Sequence, residues 1–177
     1  MRPSPLQLHH VIYTKVSVFP QEGTKDMPMR GVGFDFEGVN IKAKVGTAIK
    51  QGQEEDPRDF LVTLEIAIDN KEGKPAPYNV DVGVIGLFNV SPSLPTERRN
   101  DLLTVNGASI LYGAIREMVL TLTSRFAAGG LTLPGMNFED DAPSARIAKS
   151  TSQVATPDKT KTPKATKAKS GRRRRVD

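Results

Sequence analysis

The stretch from Ala108 to Phe138 constrains the fold more than any other part of the chain. It reads as an amphipathic segment, two consecutive glycines and a short apolar return. At about 100° per residue, the apolar side chains of the first part fall in one arc roughly 200° wide, about twice the width that a helix needs to cover one sheet. We therefore predict a helix covered on two sides, by its own sheet and by another subunit or an apolar ligand; the alternative is one deeply buried helix in a monomer. The arc contains Ile110, Leu111, Tyr112, Ala114, Ile115, Met118, Val119, Leu122 and Phe126.

Both ends of the predicted helix are marked. Asn106 has a side chain suited to an N-cap, and Gly129 can adopt the left-handed conformation that ends a helix. Ahead of the helix, the segment from Ser91 to Val105 holds two prolines and the charged run Glu97 to Arg99. We expect this segment to be an exposed loop.

Four runs with a period of two precede the helix, which is the pattern of half-buried strands. The third run, Phe60 to Ile68, and the fourth, Tyr78 to Val90, alternate most regularly. Because the links between the runs are short, the strands should pair antiparallel. The predicted fold is α+β, a four-stranded antiparallel sheet covered by one long helix.

The first two runs are less regular. In the second run the apolar positions change parity after Gly38, between Val32 and Val45, which predicts a strand with a β-bulge at that glycine. In the first run, strict alternation separates Val11 and Tyr13 from the other apolar residues. The latter are Leu6, Leu8, Ile12, Val16 and Val18, which we expect to share one face.

The formal charge of +5 on the 177 residues is unevenly distributed. Residues 142–177 hold 11 Lys and Arg against 2 Asp, a balance of +9, and residues 1–141 hold 14 against 18, a balance of −4. The second part is also rich in Ser, Thr, Pro and Lys. These features predict a folded domain over residues 1–141 and a disordered basic tail over residues 142–177.

The missing residue types narrow the class of protein. The chain has no cysteine, which excludes disulfides, thiolate metal sites and a cysteine nucleophile. The first residues hold no apolar run of signal-peptide length, and no apolar stretch approaches 18 residues. We expect a cytoplasmic protein that does not insert into a membrane.

No constellation of residues predicts catalysis. His9 and His10 would point to opposite faces of one strand and could not hold a metal ion together. The acidic trios at 54–56 and 139–141 are the pattern of solvated charges, and the glycine pair at 129–130 lacks a phosphate-binding pattern. We expect a binding protein without catalytic residues, metal or cofactor, and not an enzyme.

The basic tail includes four consecutive arginines, Arg172 to Arg175. Such a segment attracts phosphates independently of sequence, with a strong dependence on salt. It lacks the aromatic residues that stack on single-stranded bases. The tail is either the attachment to a weakly bound anionic partner, such as a nucleic acid, or a solubilising extension.

Aromatic and apolar side chains of the sheet and the helix suggest a groove between these two elements. A groove of this kind suits extended, apolar polypeptide segments and discriminates little between sequences. The alternative is that these residues are ordinary core. The candidate groove residues are Phe34, Phe36, Tyr78, Val80, Val82, Tyr112 and Phe126.

Over residues 6–140 the chain resembles the SecB family of protein-export chaperones. LQLHHVIYTK at 6–15 looks like the first strand of that family, and VDVGVIGLFNV at 80–90 is similar to its fourth. The most specific likeness combines ASILYGAIREMV at 108–119 with Ser124, Arg125 and LTLPGMNF at 131–138.

The resemblance implies an ATP-independent holdase that binds unfolded, export-bound precursors and delivers them to the SecA motor. Tyr78, Val80 and Val82 match groove positions, and Asp81 is retained on the face that contacts SecA. The implied assembly is a homotetramer, a dimer of dimers with the long helices packed between the dimers. The expected interface residues are Leu111, Ile115, Met118 and Leu122.

The chain also departs from the family pattern. Ala114 replaces a second aromatic residue on the helix, and Val16 stands where the SecA-contacting face has an acidic residue. Ala127 to Gly130 replace a bulky loop residue, and a basic tail follows Pro143 where the family has an acidic end. A relative dedicated to one client, such as the antitoxin of a toxin-antitoxin pair, is therefore an alternative.

Overall fold

The computed structural model describes residues 4–23, 30–50 and 55–145. They form a four-stranded antiparallel sheet with one long helix across one face, so the predicted α+β class is confirmed. A π-helical turn, Leu103–Gly107, joins the two α-helices, and a 3₁₀ turn, Glu139–Asp141, follows them. The elements are β1 (Leu6–Pro20), β2 (Lys42–Ile49), β3 (Asp59–Ile68), β4 (Tyr78–Val90), α1 (Thr96–Leu102) and α2 (Ala108–Thr123).

The strands are arranged in the order β1-β4-β3-β2. β2, β3 and β4 are neighbours in both sequence and space, whereas β1 pairs with β4 and occupies the far edge. The chain between β1 and β2 therefore passes from one edge of the sheet to the other. After this passage Gly31 contacts the turn that follows α2, and Val39 bridges to Gly73 between β3 and β4.

The core lies between α2 and the face of the sheet formed by alternate residues of β3 and β4. These side chains pack against Leu111, Ile115 and Val119 of α2, all with no exposed surface. Thr63 and Glu65 point to the opposite face, called the open face below. The alternation predicted for the third and fourth runs is confirmed, with Phe60, Val62, Leu64, Ile66 and Ile68 buried on β3 and Tyr78, Val80, Val82, Val84, Phe88 and Val90 buried on β4.

The faces predicted for β1 are partly wrong. The register with β4 shifts between Leu8 and His10 and again between Tyr13 and Lys15. Each shift inserts one residue and reverses the alternation, so Tyr13 pairs with Val84 on the helix side. For the same reason Val11 also joins the helix side, and Ile12 lies on the open face, where it is 44% exposed.

The predicted strand from Val32 to Val45 forms only in its second half. Residues 31–38 form turns and irregular backbone, in which Gly33 and Gly38 have φ of 65° and 80°. Because these left-handed conformations do not fit an extended strand, no bulged strand forms at Gly38. β2 begins at Lys42, and Val39 makes only an isolated bridge to Gly73.

The helical segment begins ten residues earlier than the predicted cap. α1 starts at Thr96, and Asn106 lies inside the π-helical turn, so it is not an N-cap. The segment from Ser91 to Val105 is therefore not an exposed loop, and Arg99 in it is only 4% exposed. Apolar periodicity does not mark this helix, because the buried position of α1 is occupied by a charged residue, Arg99.

The end of the helix agrees with the sequence prediction. α2 ends at Thr123, and after a turn Gly129 adopts the expected left-handed conformation, with φ of 78°. From residue 146 onward, the predicted disordered tail with its arginine run lies outside the described residues. Its first described residues contact the domain, since Ala142 is buried and the Ser144 amide donates to Asp101 Oδ1 over 3.2 Å.

Candidate functional site

An aromatic pair marks the end of the sheet beneath the C-terminus of α2. The rings of Tyr78 and Phe126 lie 5.9 Å apart between centroids. Tyr78 is fully buried, and its hydroxyl donates to the Gly129 carbonyl over 2.6 Å. A tyrosine hydroxyl is protonated at neutral pH, and burial raises the pKa of Tyr78 further. Phe126 remains 39% exposed, so the pair presents apolar surface on a rigid support.

A second aromatic pair borders the same turn. The rings of Phe34 and Phe36 meet edge to face at 5.1 Å, and both are half-buried. Their segment begins at Gly31, whose amide donates to the Ala128 carbonyl over 2.7 Å. Since Ala128 adjoins Gly129, both pairs flank one turn. We call Phe34, Phe36, Tyr78 and Phe126 the aromatic rim.

The remaining candidate groove residues lie elsewhere. Val80 and Val82 follow Tyr78 along β4 and are 2% and 0% exposed, so in the single chain they are core residues. Tyr112 lies 14 residues before Phe126, which is about 20 Å along a helix. It packs edge to face on Phe138, at 5.8 Å between ring centroids.

The extended return after Gly130 is attached to α2 by three polar side chains. The Thr123 hydroxyl accepts a bond from the Leu131 amide over 2.8 Å. Arg116 Nε donates to the Leu133 carbonyl over 2.9 Å, and the Tyr112 hydroxyl donates to the Pro134 carbonyl over 2.5 Å. These bonds replace strand pairing and fix the return along one side of the helix.

Arg116 and Thr123 have functions in the structure that the sequence pattern did not predict. Thr123 is fully buried, and its hydroxyl also donates to the Val119 carbonyl over 2.7 Å. The available signal was their position at the border of the apolar arc, where a polar group can reach a neighbouring backbone segment. The segment itself was not identifiable until the return was seen beside the helix.

The expected interface residues of α2 divide into two sets. Leu111 and Ile115 are fully buried against the sheet of their own chain, whereas Met118 and Leu122 are half-buried. Ile110, on the outward side, is 40% exposed. The outward side of α2 is thus partly apolar and uncovered within the chain.

A cavity of about 250 Å³ lies where α2 meets β1. Tyr13 and Ala114 line it, and the Tyr13 hydroxyl donates to the Ala114 carbonyl over 3.0 Å. Burial, and then the charge of Glu117, raise the pKa of Tyr13. The small side chain at position 114, singled out in the sequence, therefore borders open space beside the uncovered side of the helix.

A sequence likeness decides the family. No family model matches the chain. The protein-export protein SecB of two strains of Acidithiobacillus ferrooxidans is 30% identical over 112 residues, which are 63% of this chain and 72% of the relative. The chain belongs to the SecB family.

Two solved structures are similar to this SecB-family chain. The Mycobacterium tuberculosis Rv1957 SecB-like chaperone, in complex with a ChAD peptide from the Rv1956 HigA1 antitoxin, has a TM-score of 0.48 and 19% identity and covers 74% of this chain and 90% of its own. A protein of unknown function from Streptococcus agalactiae has a TM-score of 0.45 and 12% identity, over 73% of this chain and 97% of its own.

The open face of this SecB-family chain is only partly acidic. Asp81, the residue matched to the SecA-contacting face, forms an ion pair with Lys15 on β1. Beside them Glu65 faces Lys44 at 3.9 Å. Leu87, six residues farther along β4, is 37% exposed. The charge of Asp81 is therefore offset by its neighbour Lys15.

Potential metal-ligating side chains do not cluster in the described part of this SecB-family chain. Within residues 4–23, 30–50 and 55–145, no group of three or more His, Asp or Glu side chains could hold a metal ion. In the same ranges no helix is long and apolar enough to span a membrane. The surfaces with functional character in these ranges are the aromatic rim, the outward side of α2 and the open face.

Proposed function

We propose that this protein is an ATP-independent holdase that binds unfolded precursor polypeptides through the aromatic rim and keeps them ready for export. Membership in the SecB family supports this proposal, because its A. ferrooxidans relatives are protein-export proteins. The observation that carries it is the exposure of Phe126 on a buried, hydrogen-bonded Tyr78. An aromatic ring held in this way can bind apolar segments without first being ordered.

The chemistry of the rim suits clients of many sequences. Half-exposed phenylalanine rings bury apolar side chains but offer no charge or hydrogen-bond pattern to select among them. Phe34 and Phe36, whose segment is bonded to the turn at 128–130 through Gly31, are proposed to extend this surface. Val80 and Val82 are proposed as the layer that supports the rim from below, and Tyr112 as a support farther along α2.

The proposed assembly is a homotetramer with α2 at the contact between dimers. Met118 and Leu122 are half-buried within one chain and would become fully covered in such a contact. Leu111 and Ile115 would support the contact from the core. Tetramer formation is tested by light scattering on Met118→Glu, which should dissociate the assembly while circular dichroism shows an intact fold.

We also propose that the protein delivers its bound client to SecA. Asp81 is the candidate contact on the open face, and its pairing with Lys15 leaves it 46% exposed at the side chain. Asp81→Asn should weaken SecA binding in a pull-down of the client-loaded protein. The control is Asp69→Asn, which changes the ion pair between Asp69 and Lys42 of β2 and should leave SecA binding unchanged. Equal SecA binding by all three proteins would contradict the role of Asp81 and leave the holdase proposal intact.

Aggregation of a chemically unfolded protein tests the central proposal. The full chain should slow aggregation in the absence of nucleotide, and Phe126→Ala should weaken client binding about fivefold, because about 1 kcal/mol of apolar contact is lost. Phe19→Ala is the matched control, since Phe19 is 52% exposed but lies on the open face opposite Asn79. A chain that does not slow aggregation, or an equal loss in both variants, would overturn the proposal.

A further inference from the structure

The segment that carries Phe34 and Phe36 is bounded by two glycines in left-handed conformations. Gly33 has φ of 65° and Gly38 has φ of 80°. Residues between them form neither helix nor strand. Glycine adopts such angles at no steric cost, so the chain can turn at both points. The position of the two rings therefore depends on what holds this short segment between its ends.

One residue of the β3–β4 turn, Lys74, makes several polar contacts to this segment. Lys74 Nζ donates to the Asp35 carbonyl over 2.8 Å and to Asp35 Oδ2 over 2.9 Å. The same ammonium lies 5.1 Å from the centroid of the Phe34 ring, within the range of a cation–π contact. The Lys74 amide donates to the Gly38 carbonyl over 2.7 Å. Lys74 thus contacts a backbone group, a carboxylate and a ring within one segment.

The carboxylate of Asp35 accepts hydrogen bonds from its own segment as well as from Lys74. It also accepts the amide of Glu37 over 3.0 Å. The Glu37 amide and then Lys74 hold the pKa of Asp35 below its usual 3.8. Asp35 would be ionised at neutral pH even with its usual pKa, and its carboxylate joins the segment to Lys74.

The location of this lysine connects the segment to the rim. Lys74 precedes Tyr78 by four residues, and Tyr78 begins β4 beneath Phe126. At the other end of the segment, Gly31 is bonded to the turn that follows Phe126. The segment that carries Phe34 and Phe36 is thus attached at two points, to the turn whose Gly129 carbonyl also accepts the Tyr78 hydroxyl and to a lysine four residues before Tyr78.

We propose that Lys74 is a positioning residue of the client site, which holds the Gly33–Gly38 segment so that Phe34 and Phe36 stand in the aromatic rim. This inference rests on the proposed holdase function. The Lys74 side chain is 41% exposed, so its ion pair contributes little to the stability of the whole domain. Its loss should therefore displace the rings without unfolding the sheet.

Binding of a permanently unfolded client tests the consequence. The probe is reduced and carboxymethylated lactalbumin, and its dissociation constant is measured with the full-length protein. Lys74→Met keeps the apolar stem but removes the charge, and it should weaken binding about threefold, in line with the loss of one exposed ion pair and one cation–π contact. Lys74→Arg should restore binding, since a guanidinium makes both contacts. Lys71→Met, an exposed lysine of the same turn, is the control and should leave binding unchanged.

Fluorine NMR separates this inference from the proposed function. The chain has seven phenylalanines, and fluorophenylalanine labelling reports on each ring. Lys74→Met should shift the Phe34 and Phe36 signals while those of the buried Phe88 and Phe138 stay in place, and Lys74→Arg should reverse the shift.

Each result tests either the positioning role of Lys74 or the proposed client site. Unchanged Phe34 and Phe36 signals would overturn the positioning role, whatever the binding result. Shifted signals with unchanged client affinity would show that these rings do not belong to the client site. A wild-type protein that does not bind the probe would overturn the holdase proposal, and the NMR shifts would still report whether Lys74 places the rings.

Discussion

Arg99 on α1 and Asp56 ahead of β3 form a half-buried ion pair, with 2.6 Å between Nη1 and Oδ1 and only 5% of the arginine side chain exposed. The same guanidinium donates to the Pro57 carbonyl over 2.8 Å and to the Leu94 carbonyl over 3.1 Å. It therefore ties the start of the helical segment to the chain that enters β3.

Arg99→Met should lower the free energy of unfolding by about 2–3 kcal/mol, because the buried Pro57 carbonyl and the half-buried Leu94 carbonyl lose a charged donor. Urea denaturation measures the change. Arg98→Met is the matched control, since Arg98 is exposed on the adjacent position, and it should change stability by less than about 0.5 kcal/mol. Similar losses in both variants would mean that the buried contacts of Arg99 do not stabilise the fold.

Ionisation of the buried Tyr112 hydroxyl should lower the free energy of unfolding at alkaline pH. Burial raises its pKa from 10.0 to about 12. Because the folded state holds the proton more tightly, the associated stabilisation is complete below pH 10 and is lost as the pH rises towards 12. The loss should reach about 2–3 kcal/mol over this window.

Urea denaturation from pH 9 to 11 should show this slope. In Tyr112→Phe the slope should be smaller but should not vanish, since burial also raises the pKa of Tyr13 and Tyr78. The variant also loses the bond to Pro134, so the slope and not the absolute stability is the decisive quantity. An unchanged slope would show that Tyr112 ionises as freely in the folded state as in the unfolded chain.

Gly31→Ala should disturb the contact between residues 30–38 and the turn after α2. A Cβ at this position would lie 2.7 Å from the Gly129 carbonyl oxygen and 3.1 Å from that of Ala128. Because both neighbours are backbone atoms, the segment has to move, at a cost of about 1–3 kcal/mol. Client binding should weaken together with the thermal midpoint. Gly135→Ala, where a Cβ meets nothing within 4 Å, should leave both quantities unchanged.

Thr123→Val tests the attachment of the return segment. Valine has nearly the shape of threonine, but it cannot accept from the Leu131 amide or donate to the Val119 carbonyl. The Leu131 amide would then be buried without a partner, which should cost about 1–3 kcal/mol. Amide hydrogen exchange should become faster at Leu131 and Leu133, while exchange in β3 changes only with global stability. Unchanged exchange at Leu131 would be inconsistent with this role of Thr123.

Sequence patterns predicted best the elements that lie against the core on one face. On β3 and β4 every second residue is apolar, so the strands and their buried faces followed directly from alternation. The same holds for α2, whose apolar arc includes the buried Leu111, Ile115 and Val119. In these elements the local pattern and the tertiary contacts require the same arrangement.

The errors arose where a contact distant in sequence decides the local conformation. The face of Ile12 depends on two bulges that form only when β1 pairs with β4. Arg99 is buried because Asp56, 43 residues earlier, supplies a charge partner. Phe34 and Phe36 alternate like strand residues, yet they lie in irregular backbone between two left-handed glycines, where Lys74, 39 residues after Asp35, contacts the segment.

The sequence by itself determined the α+β class, the two central strands, the long helix and the absence of cysteine chemistry, because composition and periodicity are properties of neighbouring residues. Its motifs also pointed to the SecB family. Only the tertiary structure decided which apolar residues are core and which remain at the surface. Tyr78 and Phe126 have similar aromatic character in the sequence, but one is fully buried and the other 39% exposed. The turn at Gly129 is involved in this difference. Its carbonyl accepts a hydrogen bond from the buried Tyr78 hydroxyl, and the Phe126 ring beside it stays partly uncovered.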